Sequence, residues 1–147
     1  MSGASIAMQD DFQQGVTQVQ FSIQRACTGD PEPIKALYSH ADDVTIMGAW
    51  GAYEHGWAQV GPRLDWAVTR FLEGHITFHP IAIGDCGSLG YTIWIEKGEA
   101  RLQGTDGIRP FALRVTQLYR RENGAWKIIQ RHADPMMEKM EAPKSVS

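Results

Sequence analysis

Residues 123–135, NGAWKIIQRHADP, carry more structural information than any other stretch of the chain. Asn-Gly is the dipeptide that most favours a two-residue β-hairpin turn. The run that follows it begins with Trp126 and is rich in β-forming residues, as is the run at 108–121 before the turn. The two runs therefore predict an antiparallel hairpin. The second strand ends on the polar cluster Arg131-His132-Ala133-Asp134, and such density at a strand end indicates a site or an interface.

Three segments nearer the N-terminus have the apolar spacing of amphipathic helices. The first helix is predicted from a stripe that runs from Phe12 to Ala26, and Gly29 is suited to the position just after its end. Asp30 and Pro31 are placed as the N-cap and first residue of a short second helix. The third helical stripe runs from 57 to 71, and Gly74 is expected to close it.

The remaining apolar runs predict strands at 44–47, 75–84, 89–97, 108–121 and 125–133. Helices followed by a series of antiparallel strands indicate an α+β fold. We expect three N-terminal helices packed on a curved, mostly antiparallel sheet, with a cone-shaped cavity between the two layers. The 147 residues are expected to form a single domain at 1–147, with a core at about 6–135 and a tail at 136–147.

Composition and charge argue against several classes of protein. The net charge is -3 and no Lys/Arg run is present, so no nucleic-acid partner is expected. No stretch is apolar enough to span a membrane and no signal peptide is recognised, which predicts a cytoplasmic protein with two unpaired cysteines. No phosphate loop or nucleotide fingerprint occurs, so no cofactor is expected. His75 and His79 do not have a metal-binding spacing on a strand, and no metal is expected.

Several of these motifs resemble the SnoaL-like branch of the nuclear transport factor two-like (NTF2-like) superfamily, which has the ketosteroid isomerase-like fold. The similar features are Gly29-Asp30, the stretch at 38–43, the aromatic and Gly-rich loop at 48–56, Trp126-Lys127-Ile128 and the polar cluster at 131–134. The resemblance covers about residues 6–135. It implies the cone fold, a ligand-binding pocket and a homodimer.

The resemblance does not specify a reaction, because the best-known catalytic carboxylates of the superfamily are missing. Gly48 stands where the isomerases have their general base, and Thr116 where they have an oxyanion-hole acid. Arg114 matches the arginine of the epoxide hydrolases, but their Asp is again replaced by Thr116. The expected function is a cofactor-independent isomerase, cyclase, dehydratase or hydrolase. The alternatives are a non-catalytic pocket for a small carboxylic acid and an oligomerisation module.

The resemblance places two arginines, Arg114 and Arg131, inside the cone as candidate catalytic residues that bind a carboxylate. Thr116, Leu118 and Ile129 are expected on the same inner face, and by the same resemblance Tyr91 and Ile93 match cavity-facing apolar residues of the isomerases. Strict alternation supports a different arrangement, in which Leu113 and Val115 are buried and both Arg114 and Thr116 face water.

The aromatic loop and the third helix contribute the other candidates. Trp50 and Tyr53 are expected to border the cavity mouth, where an indole and a phenol suit an amphipathic ligand, and Tyr53 completes the candidate catalytic set. Plain loop packing is the alternative. Trp66 is either core or cavity lining. His132 is a candidate ligand-binding residue that could pair with Asp134, although a polar strand end at an interface is the favoured interpretation.

Overall fold

A computed structural model describes residues 2–141, with side chains described from residue 11 onward. Three helices and two short strands come first: α1 (Ser2–Ala26), α2 (Glu32–Leu37), β1 (Thr45–Met47), β2 (Glu54–His55) and α3 (Trp57–Thr69). Four long strands follow: β3 (Phe71–Asp85), β4 (Leu89–Leu102), β5 (Arg109–Glu122) and β6 (Ala125–Pro135). The predicted α+β class is confirmed.

The six strands form one sheet in the order β2-β1-β6-β5-β4-β3. All neighbours pair antiparallel except β1 and β6, which are parallel. The sheet is open and curved, and the helices cover its concave face. One layer of helices on one layer of sheet leaves the opposite face of the sheet uncovered, and we call that face the outer face.

The core lies between α1 and the concave face of the sheet. The predicted stripe of α1 is buried at Phe12, Val16, Val19 and Ile23, and it packs against Trp94, Val115, Tyr119, Trp126 and Ile128. Close approach of the helix depends on Gly90, because a Cβ at this position would lie 2.5 Å from the Phe12 ring. A sheet that meets a helix so closely seals one end of the cone, and the cavity remains at the other.

The β5–β6 hairpin forms as the Asn-Gly pair predicts, but its register contains an irregularity. Asn123 and Gly124 both have positive φ, and Glu122 pairs with Ala125 across the turn. Further along, Tyr119 pairs with Ile128 and Leu118 with Gln130, which leaves Ile129 as an unpaired extra residue. Such a β-bulge shifts the alternation of the strand by one residue. Ala133, which is buried, therefore shares the concave face with Trp126 and Ile128.

Three details of the chain differ from the sequence-based prediction, and the first is the N-cap of α2, which is Pro31 rather than Asp30. Helix α3 ends at Thr69 and β3 begins at Phe71, so the stretch before Gly74 is strand rather than helix. Aromatic and β-branched residues from 71 to 78 pair along β4, and this pairing outweighs the helical spacing. The short strand β2 was not predicted. Cys27 and Cys86 are both free thiols, as expected. In the described part of the chain no helix is long and apolar enough to cross a membrane.

Candidate functional site

A cavity of about 660 Å³ lies between the helices and the concave face of the sheet. Its walls are mostly apolar and include Ile23, Ile34, Ile46, Leu64, Val68, Phe71, Ile76, Phe111 and Leu113. The inner end is formed by buried Glu96 and Tyr38 together with Arg131, and the mouth by the exposed residues Trp50, Arg109 and Met136. The cavity is therefore open and mostly apolar, with its polar groups at the inner end.

The inner end contains a buried ion pair between β6 and β4. Arg131 Nη1 donates to Glu96 Oε2 at 2.9 Å, and Arg131 Nη2 donates to Glu96 Oε1 at 2.8 Å. The side chain of Glu96 is 1% exposed and that of Arg131 is 17% exposed. Burial opposes the charge on Arg131, but the carboxylate of Glu96 outweighs it and raises the pKa of Arg131. The pair is therefore a fixed, net-neutral dipole in an apolar cone.

Neighbouring polar side chains hold this pair in place. Arg131 Nη1 also donates to Gln117 Oε1 at 2.8 Å, and Trp94 Nε1 donates to Glu96 Oε2 at 2.9 Å. Gln117 Nε2 then donates to the Tyr119 hydroxyl at 2.7 Å. Gln117 and Trp94 are fully buried, so these bonds satisfy groups that water cannot reach. The network fixes the orientation of the guanidinium before any ligand arrives.

Three hydrogen-bond donors at the inner end remain unused within the described residues. A guanidinium has five N–H groups, and the bonds to Glu96 and Gln117 use three of those on Arg131. The hydroxyl of Tyr38 makes no hydrogen bond to a described residue either, although Tyr38 is only 1% exposed. Burial raises the pKa of Tyr38 above its usual range, so the hydroxyl stays protonated. These groups can donate to a ligand oxygen.

Cys27 also lines the inner part of the cavity. Burial raises the pKa of its thiol to about 12, and the negative charge of Glu96 adds to the effect. A thiolate is the nucleophilic form of cysteine. The thiol of Cys27 is therefore protonated at neutral pH and serves as an apolar wall residue.

The mouth of the cavity is a cluster of aromatic rings and arginines. Trp50 lines the cavity and contacts Trp66 edge-on, with the ring centroids 5.5 Å apart. The Arg63 guanidinium lies 3.9 Å above the Trp66 ring, and that of Arg70 lies 5.4 Å from it. Trp50 thus lines the cavity as expected, whereas Trp66 supports Trp50 from outside. Tyr53 is 65% exposed and is not a lining residue.

The expected pair of inward arginines is not present, and that prediction is wrong for Arg114. Arg131 lines the cavity, but Arg114 lies on the outer face with its side chain 55% exposed. There it forms a two-pronged ion pair with Asp134, with N–O distances of 2.9 and 3.0 Å. Arg114 pairs across the strands with Asp134, whereas Arg131 pairs with Gln117, so the two arginines are neither opposite each other nor on one face. The alternation of buried and exposed residues along β5 determines this outcome.

Other residues expected in the cavity also lie elsewhere. Tyr91, Thr116 and Leu118 are exposed on the outer face, and Ile93 shares that face because its neighbours Thr92 and Trp94 are buried on the concave side. Ile129 is the bulge residue and does not line the cavity, and His132 is exposed on the outer face. The homodimer stays a prediction. The apolar side chains of Tyr91, Ile93 and Leu118 on this uncovered face are suited to such a contact.

Sequence reasoning missed Glu96 and Tyr38, the other two residues of the inner end. The alternation along β4 contained a usable signal, since Thr92, Trp94 and Glu96 share one face and Trp94 is the residue most suited to a core. Choosing that face would have placed a carboxylate inside the cone and required a buried cation as its partner. Tyr38 lies at the C-cap of α2, in a bridge to Ile128 of β6, and its position has no local sequence signal.

Comparison with solved structures confirms the fold. A protein of the NTF2-like superfamily from Salmonella enterica has 18% identity and a TM-score of 0.78, with 97% of this chain and 99% of that chain covered. A ketosteroid isomerase-like protein from Erwinia carotovora has 14% identity and a TM-score of 0.72, with 88% and 96% covered. A hexachlorocyclohexane dehydrochlorinase has 12% identity and a TM-score of 0.71, with 99% and 100% covered.

These similarities define the class as the NTF2-like fold, as the motifs of the sequence predicted. Identities this low establish the fold alone. No model of a known protein family matches the chain, and no curated protein sequence matches it. These comparisons therefore assign no activity to the chain.

Proposed function

We propose that the cavity binds a small, mostly apolar molecule through one neutral acceptor oxygen, which Arg131 and Tyr38 hold at the inner end. The observation that carries this proposal is the buried Arg131–Glu96 pair, which leaves two N–H groups of Arg131 without a partner in the described structure. Tyr38, whose hydroxyl has no partner among the described residues, lines the same end. Donors held in an apolar pocket specify the orientation of a ligand that otherwise binds through its apolar surface.

The charge at the inner end favours a neutral oxygen over a carboxylate. Glu96 accepts from both terminal nitrogens of Arg131, so the formal charges cancel. A carboxylate ligand would have to enter beside the carboxylate of Glu96, and two like charges in a poorly solvated site repel strongly. A ketone, aldehyde or ester accepts the same hydrogen bonds without that cost. The inner end is therefore suited to a carbonyl compound.

The test compares the binding of a ten-carbon methyl ketone to Tyr38→Phe and to Tyr53→Phe. Binding is measured by calorimetry and by the change in tryptophan fluorescence of the protein. Each variant loses one hydroxyl, but Tyr53 is outside the cavity lining. Loss of one neutral hydrogen bond should weaken binding about 2- to 10-fold in Tyr38→Phe, and Tyr53→Phe should bind like the original protein. Equal affinities in the two variants, or no binding by the original protein, would contradict the proposal.

A second candidate is a cofactor-independent enzyme that moves a proton next to the bound carbonyl. The observation that favours it is the carboxylate of Glu96 in the cavity wall, beside donors that could stabilise an enolate oxygen. The same fold occurs in proteins described as ketosteroid isomerase-like and as a dehydrochlorinase. Against it, the oxygens of Glu96 already accept three hydrogen bonds, which weakens the carboxylate as a base.

Deuterium exchange separates the two candidates. If Glu96 removes a proton from the carbon next to the carbonyl, the methyl ketone should incorporate deuterium from D₂O faster than without protein, as followed by NMR. Tyr38→Phe should slow that exchange, because the enolate oxygen loses one donor, whereas Tyr53→Phe should not. Exchange at the background rate by a protein that binds the ketone would identify the cavity as a binding site without proton transfer.

A further inference from the structure

We infer that the cavity mouth binds an anionic group, so that the ligand is an amphiphile with a neutral oxygen at its inner end and a carboxylate at its outer end. This inference rests on the proposed function, because it assumes that the apolar body of the ligand occupies the cavity. It assigns the carboxylate to Arg109, which lines the mouth, and to Arg70, which lies behind the lining residues on the ring of Trp66, rather than to Arg131 at the inner end.

Arginine side chains are grouped at the mouth of the cavity. The chain as a whole has a net charge of -3, yet Arg63 and Arg109 both line the cavity. Arg70 follows α3 and shares the ring of Trp66 with Arg63. A rim of one sign of charge around an apolar opening attracts ligands of the opposite sign.

Two of these arginines have their charge available. Arg63 is paired with Glu54 at 2.9 Å. Arg70 donates to the hydroxyl of Thr69 at 3.2 and 3.3 Å, and it makes no ion pair with a carboxylate in the region described. Arg109 makes no ion pair within residues 11–141, and Asp106 in the preceding loop does not pair with it. Each guanidinium can therefore offer a forked pair of donors to a carboxylate.

Solvent access makes the mouth a better position for an anion than the inner end. Arg109 is exposed and Arg70 is partly exposed, so a carboxylate placed there keeps much of its hydration. The inner end offers the opposite conditions, because Glu96 is 1% exposed and already neutralises Arg131. The same cavity thus has hydrogen-bond donors for a neutral ligand oxygen at its inner end and a site for an anion at its mouth, with an apolar wall between them.

The experiment uses decanoate with a ketone at the ninth carbon, together with its methyl ester, which has the same chain and ketone but no charge. Calorimetry is run at low and at high NaCl with the original protein and with a double variant, Arg70→Gln with Arg109→Gln. The control is Arg25→Gln with Arg101→Gln, which changes the net charge equally but removes arginines that neither line the cavity nor contact Trp66 and that are paired with Asp30 and Glu73. We expect the original protein and the control to bind the acid about 5- to 20-fold more tightly than the ester at low salt.

The ratio of the dissociation constants of ester and acid should fall towards one in the Arg70→Gln, Arg109→Gln variant and in high salt, whereas the affinity for the ester should not change. If the ester binds and the acid shows no preference, the inference is wrong although the proposed function stands. A preference that survives in this variant but disappears in Tyr38→Phe would place the carboxylate at the inner end and overturn the inference. If neither compound nor the methyl ketone binds, the proposed function and this inference both fail.

Discussion

Replacing Arg131 with Met should lower the free energy of unfolding by about 3–5 kcal/mol, because it leaves a buried carboxylate without its counter-charge. Glu96 is 1% exposed and would retain only the donor Nε1 of Trp94. Gln117 would lose the partner of its carbonyl oxygen as well. Urea denaturation at neutral pH, followed by Trp fluorescence and analysed at a constant m-value, measures the change.

Two controls distinguish loss of the buried charge from loss of any arginine. Arg114→Met removes the same side chain from an ion pair of similar geometry, but this pair is on the outer face and about half exposed. Its loss should cost no more than about 1 kcal/mol. A double variant, Arg131→Met with Glu96→Met, should recover much of the lost stability, because apolar residues can replace a buried pair at little cost. A double variant no more stable than Arg131→Met would show that the charge imbalance is not the cause.

The elements of the fold could be predicted from sequence because their signals are local. The stripe of α1 repeats at helical spacing over four turns, and its burial at Phe12, Val16, Val19 and Ile23 follows directly. Asn123-Gly124 specifies the turn through the positive φ that both residues adopt. Such patterns need only neighbouring residues, and the order of the helices and long strands follows from them.

The cavity could not be predicted in the same way, because it depends on register. With Trp126 and Ile128 buried, strict alternation would point His132 inward and Arg131 outward. The bulge at Ile129 reverses this, and no residue type in the strand marks it. The observed turn already excludes the expected arginine pair, because with Glu122 opposite Ala125 an unbulged hairpin would place Arg114 opposite Ala133, and the bulge moves its partner on to Asp134.

Glu96 shows a second limit of pattern reasoning. Both faces of β4 carry apolar residues, with Tyr91, Ile93 and Ile95 on one and Trp94 on the other. Counting apolar residues therefore selects the outer face of β4 as the buried one. The concave face, which is the buried one in the structure, carries Glu96, and glutamate is seldom buried. Glu96 is stable inside only because Arg131, 35 residues away in sequence, reaches it from β6. Neither strand alone identifies its partner over that distance.

Trp126 should be the other position with a large effect on stability. It is 7% exposed, and its ring lies 4.8 Å from that of Phe12. An ideal Cβ built at Gly15 would lie 3.3 Å from Trp126, and Arg121 stacks on the indole at 4.6 Å. Trp126→Ala should therefore leave a large void between α1 and β6 and lower the free energy of unfolding by about 3–5 kcal/mol.

Packing rather than hydrogen bonding accounts for this cost, since the indole Nε1 of Trp126 has no partner within the described residues. Trp126→Phe should accordingly lower the free energy of unfolding by less than half as much as Trp126→Ala, because an aromatic ring still fills the space beside Phe12. Trp66→Ala removes the same side chain from a position that is 37% exposed and should cost clearly less. Thermal and urea denaturation measure all three variants. Equal losses in Trp126→Ala and Trp66→Ala would show that the contact between α1 and the hairpin does not hold the closed end of the cone together.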